Sequence, residues 1–280
     1  MQAPEGSNYE RFKVLDMDRT SKLNQMRDLA ALTLPSVLPP ENWSQRDPLA
    51  QPWSSVAGSG VTQLSSRVLS ALIPINDMPF FKFELSTGMG PDQETNEFLE
   101  GLSYQVYNKL ITGNLRSSVF NALQQLVVTG DALMVMEDDY SFRTVRQDHY
   151  VIRRDIVGAP VEILHLDFVE DDGRTPGLQM TGSMSEFSIP GFTTLFTRCL
   201  KDEETEAWHC RTEDIDGDVV TEGTYEVSPY ISLRWNQVTG EHYGRGHCEE
   251  IAGDIQTLDA YTQSMIEGLS AAGAFWMGIN

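Results

Sequence analysis

Residues 115–137 read LRSSVFNALQQLVVTGDALMVME, and the period of the apolar positions changes inside that stretch. Leu115 to Val128 follows the three-and-four spacing of a helix that opens after the Gly113-Asn114 break. Past Gly130 the residues Ala132 to Glu137 form a short β-rich run. The chain therefore passes from helices to strands at Gly130, and this switch sets the fold class.

Working toward the N-terminus, the helical pattern repeats three times. Ser7 to Leu32 carries Phe12, Leu15, Arg19, Leu23, Met26 and Ala30 on one stripe, ended by Pro35, Pro39 and Pro40. Glu41 to Ser55 reads as a loop whose Trp43 and Trp53 should pack down on something. Ser54 or Ser55 can cap a helix through Val61, Leu64, Val68 and Leu72 that stops at Pro74. Phe80 to Leu85 predicts a short strand, and Asp92 to Thr112 a third helix with Phe98, Leu102, Val106 and Leu110. Toward the C-terminus, short runs separated by Gly, Pro or Asp turns predict a mainly antiparallel sheet region. They are Phe142–Val145, His149–Arg154, Val161–Asp167, Phe192–Leu200, Ala207–Thr212, Val219–Glu222 and Ile231–Trp235. Residues 168–190 read as a mobile loop. Gly246 to Ala272 then reads as one long helix, giving α+β rather than alternating α/β.

With 280 residues and 40% apolar content the chain can fill a core. Twenty Lys and Arg against 41 Asp and Glu leave a formal charge of −21, which disfavours tight wrapping of the surface by nucleic acid or anionic lipid. Three cysteines, Cys199, Cys210 and Cys248, are too sparse for a disulfide framework and suggest a reducing compartment. Met1 to Tyr9 lacks the basic-then-apolar order of a secretion signal, and no apolar run reaches the roughly 18 residues of a membrane span, so no membrane partner is expected.

Motifs that carry chemistry are scarce. No lysine follows a glycine, which removes the phosphate-binding loop, and Gly58-Ser59-Gly60 and Gly244-Arg245-Gly246 lack the third glycine of a dinucleotide turn. Asp214, Asp216, Gly217 and Asp218 begin like a calcium loop, but Val219 and Tyr225 occupy its critical later positions, so a charged hairpin tip is the better reading. His209, Cys210, His242, His247 and Cys248 lack the close pairs that preorganise zinc. His165 and Asp167 share one face of a strand and are the residues an enzyme would use, although a polar sheet face also explains them. The sequence thus predicts no enzyme, no cofactor and no metal.

The C-terminal helix is more informative. Ile251, Ile255, Leu258, Thr262, Met265, Leu269 and Ala272 alternate steps of four and three, a seam suited to a neighbouring helix. Between Gly246 and Asn280 stand Glu249, Glu250, Asp254, Asp259 and Glu267 and no Lys or Arg.

Several segments, in order, resemble the podovirus head-to-tail connecting protein family, the portals of short-tailed bacteriophages. Gln51-Pro52-Trp53-Ser54-Ser55 opens a helix ending at Ala71-Leu72-Ile73-Pro74. Val128-Thr129-Gly130-Asp131-Ala132 turns into the sheet, and Arg153-Arg154-Asp155 precedes Gly158. Ile231-Ser232-Leu233-Arg234-Trp235 is followed by Gly240-Glu241-His242-Tyr243-Gly244-Arg245-Gly246. The resemblance implies a wing over 1–245, helical over 1–128 and β-rich over 129–245, a first stem helix over 246–272 and the start of a clip strand over 273–280. Family chains continue with more clip, a second stem helix and further wing. It also implies a structural ring, with twelve subunits, at one capsid vertex, through which double-stranded DNA passes without sequence choice. The implied partners are the terminase large subunit, a tail adaptor, and the capsid and scaffold proteins, and the location is the virion after assembly in the host cytoplasm. Asp254, Asp259 and Glu267 would face the channel or its entrances, while Ile251, Ile255, Leu258, Met265 and Leu269 would pack subunits together. The competing reading is a monomeric acidic α+β domain that recruits a basic partner.

Overall fold

Ser7 caps the first helix, α1 (Asn8–Leu32), its hydroxyl accepting from the Glu10 N–H at 3.3 Å. The computed structural model describes residues 6–41, 43, 47–75, 78–85, 93–137, 139–170 and 192–277. After α1 come α2 (Val56–Leu72), α3 (Gln93–Thr112) and α4 (Leu115–Thr129). The α3–α4 turn needs Asn114 at φ 68° and Gly113, where a Cβ would stand 2.8 Å from the Tyr140 carbonyl. Beyond Gly130 the chain forms β1 (Asp131–Met136), β2 (Phe142–Val145), β3 (Tyr150–Arg154), β4 (Pro160–Glu170), β5 (Phe192–Lys201), β6 (Trp208–Asp214), β7 (Val219–Tyr225) and β8 (Tyr230–Arg234). Two helices complete the order, the short α5 (His247–Glu250) and the long α6 (Ala252–Met277).

The strands make two antiparallel sheets, β2-β1-β8 and β3-β4-β5-β6-β7. Strand alternation sorts their side chains into layers. Ala132, Met134 and Phe142 face α4 with Leu123 and Leu126, while Leu133, Val135 and Val145 face the larger sheet with Ile152, Ile163 and Trp208. The opposite face of the larger sheet presents Val151, Leu164, Leu166 and Phe196 to Phe12 of α1. Farther along, Leu23, Met26 and Ala30 of α1 pack with Val127 and Val128 of α4 and Val61 of α2. At 25 residues α1 is about 37 Å long by its helical rise, enough to span sheet and helices. The fold is α+β, as the change of period at Gly130 predicts.

Six local expectations need correction. Phe80–Leu85 is not a strand: no chain pairs with it among the described residues, and its rings pack edge-on with each other and with Tyr107, while the Phe83 N–H donates to Ser103. Trp53 does not pack down but stays 48% exposed. The long C-terminal helix is interrupted at Ile251, whose backbone (φ −110°, ψ 16°) leaves the helical region. Residues 273–277 continue α6 instead of starting a strand. Cys199 and Cys210, opposite each other across β5 and β6, are joined as a disulfide, leaving Cys248 free and buried. Of the loop expected over 168–190, residues 168–170 belong to β4 and the rest lies outside the described residues.

Candidate functional site

Three glycines bring the two halves of the chain into backbone contact just before the terminal helix. A Cβ on Gly130 would lie 2.5 Å from the Gly246 nitrogen, one on Gly244 2.5 Å from the Gly130 carbonyl oxygen, and one on Gly246 2.6 Å from the Val128 oxygen. Only glycine allows that approach, and Gly130 at φ 91° also needs the left-handed region to close α4. The Trp235 N–H donates to the Gly130 carbonyl at 2.9 Å, and Asn236 and Arg245 exchange both backbone hydrogen bonds.

Asp131 is buried in this junction, and its Oδ2 accepts from the Gly244 N–H at 2.6 Å. Burial pushes its pKa up to about 7, against the pull of the Gly244 amide and of Arg154, Arg234 and Lys22. Side chains fix the rest of the 236–246 loop. Arg154 donates to the His242 carbonyl at 2.9 Å, Arg234 reaches the carbonyls of Glu241 and Gly158, and the Ile152 N–H donates to the Tyr243 hydroxyl at 3.1 Å. From α1, the buried Arg19 donates to the Gln147 carbonyl and stands 5.7 Å over the Tyr243 ring, while Lys22 pairs with Glu249 at 2.8 Å. Between α1, β3 and this loop lies a cavity of about 570 Å³. Its cations are committed: Arg11 and Arg153 both pair with Glu162, and Arg245 pairs with Glu241 and Glu249.

From this anchor the helix leaves the body. Cys248 and Ile255 are buried among Leu23, Met26, Val127 and Val128. Ile255 is only 8% exposed, so it holds α6 to its own chain and is not available as a subunit-packing residue. Past it the apolar residues open to solvent, with Leu258 38%, Tyr261 67%, Met265 54% and Leu269 66% exposed, and Ile266 likewise; Ile251 is exposed at the break. At about 100° per residue, Met265 and Leu269 stand within roughly 20° of Leu258, with Tyr261 and Ile266 about 60° and 80° to either side. Tyr261 and Ile266 escaped the four-three reading, but the 3.6-residue period places them on the arc. The three acids do not share one face. Asp254 lies about 40° from Leu258 in the first helical turn, Asp259 about 100° away and Glu267 opposite. Asp259 also accepts from the Ser54 N–H at 2.8 Å, which ties α6 to the segment of Gln51, Pro52 and Trp53. Gln51 and Pro52 border a second cavity where α2 meets the end of α1.

The residues an enzyme would use form a closed network. The Tyr230 hydroxyl and Asp167 Oδ2 occupy the two ring nitrogens of buried His165 at 2.9 and 2.7 Å, and Arg143 bonds both oxygens of Asp167. Burial pushes the Tyr230 phenol up; burial would also raise Asp167, but His165 and Arg143 hold it well below the usual carboxylate range. Asp214 accepts from the Asp216 and Asp218 amides and forms the β6–β7 hairpin tip, with Gly217 at φ 90°. His209, His242 and His247 are held apart by Thr224, Arg154 and Glu250, and among the described residues no three His, Cys, Asp or Glu side chains converge on a metal position. Among them too, no helix is long and apolar enough to cross a membrane.

Residues 7–168 and 193–277 match the family described as bacteriophage head to tail connecting protein. The chain is 27% identical over 272 residues to the portal protein of Enterobacteria phage T3, covering 90% of this chain and 50% of that one. It is 26% identical over 278 residues to that of Escherichia phage T7, covering 93% and 51%. For Pseudomonas phage phiKMV the identity is 24% over 266 residues, covering 85% and 49%. The chain spans about half the length of the curated relatives it matches. With a family match that runs through the helices, both sheets and α6, the chain belongs to the bacteriophage head to tail connecting proteins.

Proposed function

We propose that this chain forms the wing and first stem helix of a portal subunit, a structural ring at one capsid vertex through which DNA is packaged and later ejected. Residues 1–245 act as the wing, and the stem begins at Gly246. The observation that carries the reading is α6, whose arc of Leu258, Tyr261, Met265, Ile266 and Leu269 is exposed among the described residues. A second copy of the same helix is the natural cover, because a head-to-tail contact repeated about an axis closes into a ring and buries every arc. Gly246 to Asn280 holds no Lys or Arg. Duplex DNA carries one phosphate per roughly 1.7 Å of axis, and an acidic wall offers it none of the counterion-releasing contacts that would grip it. Glu267, opposite the apolar arc, is the leading bore-facing residue; Asp254 and Asp259 stand toward the entrance.

The same reading assigns the partners. Twelve copies form the ring, the terminase large subunit docks during filling, a tail adaptor docks afterwards, and capsid and scaffold proteins surround the vertex. The protein acts in the virion after assembly in the host cytoplasm. ATP hydrolysis comes from the motor, and this chain is a passive gate. Negative-stain electron microscopy of protein expressed from its complete reading frame tests the proposal. Rings with a central hole are the expected result; compact monomers alone, across a range of concentration and salt, overturn it in favour of an acidic domain that recruits a basic partner.

A further inference from the structure

The two outer strands of the larger sheet are treated differently. On β3 the outward backbone donors are occupied by side chains from the 236–246 loop: the Ile152 N–H donates to the Tyr243 hydroxyl and the Arg154 N–H to His242 Nδ1 at 3.2 Å. At the other end of the sheet β7 pairs only with β6, and no backbone group of another described residue reaches its outer side. Its seven residues are exposed on both faces, apart from half-buried Gly223, and include Val219, Val220 and Tyr225. A register shift at Thr212/Glu213 bends only its start, leaving Thr221 to Tyr225 in regular register with Trp208 to Thr212. It has none of the proline or lysine that commonly blunts a sheet edge.

We infer that the free edge of β7 is a docking site for an extended, basic segment of another protein, which adds to the sheet as a sixth strand. Strand addition takes its affinity from main-chain hydrogen bonds and its specificity from alternating side chains. The charge specifies the occupant: from Thr212 to Leu233 there are six Asp and Glu and no Lys or Arg. Asp218, Glu222 and Glu226 are exposed along or beside the strand. Arg211, the cross-strand neighbour of Glu222, is already paired with Glu213. A second copy of this chain is a poor occupant, because among the described residues its strand arginines 143, 153 and 198 pair with its own Asp167 and Glu162, and Arg154 is turned onto the His242 carbonyl. The incoming strand would set β-branched or aliphatic residues against Thr221 and Tyr225, and Lys or Arg against Glu222.

The test uses two fluorescein-labelled peptides of equal charge and about ten residues, one alternating lysine with valine and the other lysine with proline, which cannot donate to a ladder. Anisotropy titration should show saturable binding of the lysine-valine peptide, at least about tenfold tighter than the lysine-proline peptide, and amide exchange should slow within 219–225. The double variant Glu222→Lys, Glu226→Lys, with unchanged circular dichroism, should weaken binding about tenfold, the size expected when two exposed ion pairs become like-charge contacts. Equal affinity for the two peptides, exchange protection elsewhere but not in β7, or no binding at all each overturns the inference. None of these outcomes depends on ring formation, so the portal reading stands or falls separately.

Discussion

Phe196 in the body and Leu269 on α6 are both large apolar side chains of one chain, yet Phe196 is fully buried and Leu269 is 66% exposed. The body closes on itself. Phe12, Val151, Leu164 and Leu166 surround Phe196, and even the fully buried Glu162 is held by Arg11, Arg153 and Arg198. Past Ile255, α6 carries apolar residues that stay exposed among the described residues. On the portal reading proposed above, the difference marks where folding ends and assembly begins: the energy of the body is intramolecular, and that of the α6 arc comes from a neighbouring subunit.

Substitutions across that boundary sharpen or break the contrast. The largest effects belong to the body. Phe196→Ala should cost about 3–5 kcal/mol in urea unfolding, the transfer of a buried ring plus the cavity it leaves. Glu162→Gln should cost a similar ~3–5 kcal/mol, because three guanidinium groups lose their shared counter-charge. Burial alone would raise the Glu162 pKa, but the arginines hold it at about 2 in place of 4.5. Since the folded value is the lower one, this stabilisation is present above pH 4.5 and is lost as pH falls toward 2. Urea midpoints of the parent should drop through that window, and those of E162Q should drop less.

Next in size is a paired test of the junction. Gly246→Ala puts a Cβ within 2.6–2.9 Å of three backbone atoms of Val127, Val128 and Gly130, none of which can swing aside, and should cost about 1–3 kcal/mol. Gly246 has an ordinary φ of −75°, so the cost is steric and not conformational. Gly253→Ala, seven residues on and with nothing within 4 Å of its Cβ, should be neutral or stabilise by up to about 1 kcal/mol through helix propensity. Equal effects at the two positions would show that α5 is not anchored against α4 as described.

Asp131 gives a pH effect opposite in sign to that of Glu162. Its pKa is about 7 when folded against 3.8 unfolded, so between those values the folded state binds more protons and stability falls as pH rises. Asp131→Asn should flatten that fall while costing little at pH 8, where the relief of a buried charge offsets the weaker bond to Gly244. Melting curves of both proteins from pH 5 to 8 measure this directly; parallel curves would mean that Asp131 is solvated.

These contrasts mark what could be read in one dimension. The strands from β1 to β8 follow from period and turn residues to within about three residues, because alternation and Gly or Asp turns are local signals. Phe80–Leu85 has the composition of a strand but pairs with none of the described residues, and pairing is a property of two segments. The break at Ile251 and the burial of Ile255 also depend on where α1 and α4 lie, which the four-three spacing of the helix does not encode. At the junction, Gly130, Asp131, Gly244 and Gly246 were visible as family-like segments. That they meet in space, with a carboxylate closed over one amide, belongs to the packed fold. The Cys199–Cys210 pairing was hidden for the same reason, since the β5–β6 register alone sets the two opposite each other.

The smallest expected effect on the fold is the most informative about assembly. Leu269→Gln replaces a side chain that is 66% exposed among the described residues, so the unfolding free energy of the single subunit in urea should move by less than about 0.5 kcal/mol. A helix end that is exposed gains little from its own chain, and the polar substitute keeps nearly the same helix propensity. In a ring the same residue lies on the arc shared with Leu258 and Met265, and each copy repeats the loss, so a change near the noise for one subunit multiplies around the closed contact. Mass photometry of the protein from its complete reading frame should therefore show rings for the parent and a shift to smaller species for L269Q. If L269Q instead lowered subunit stability as much as Phe196→Ala, α6 would already be buried within its own chain and the contrast between body and helix would be lost.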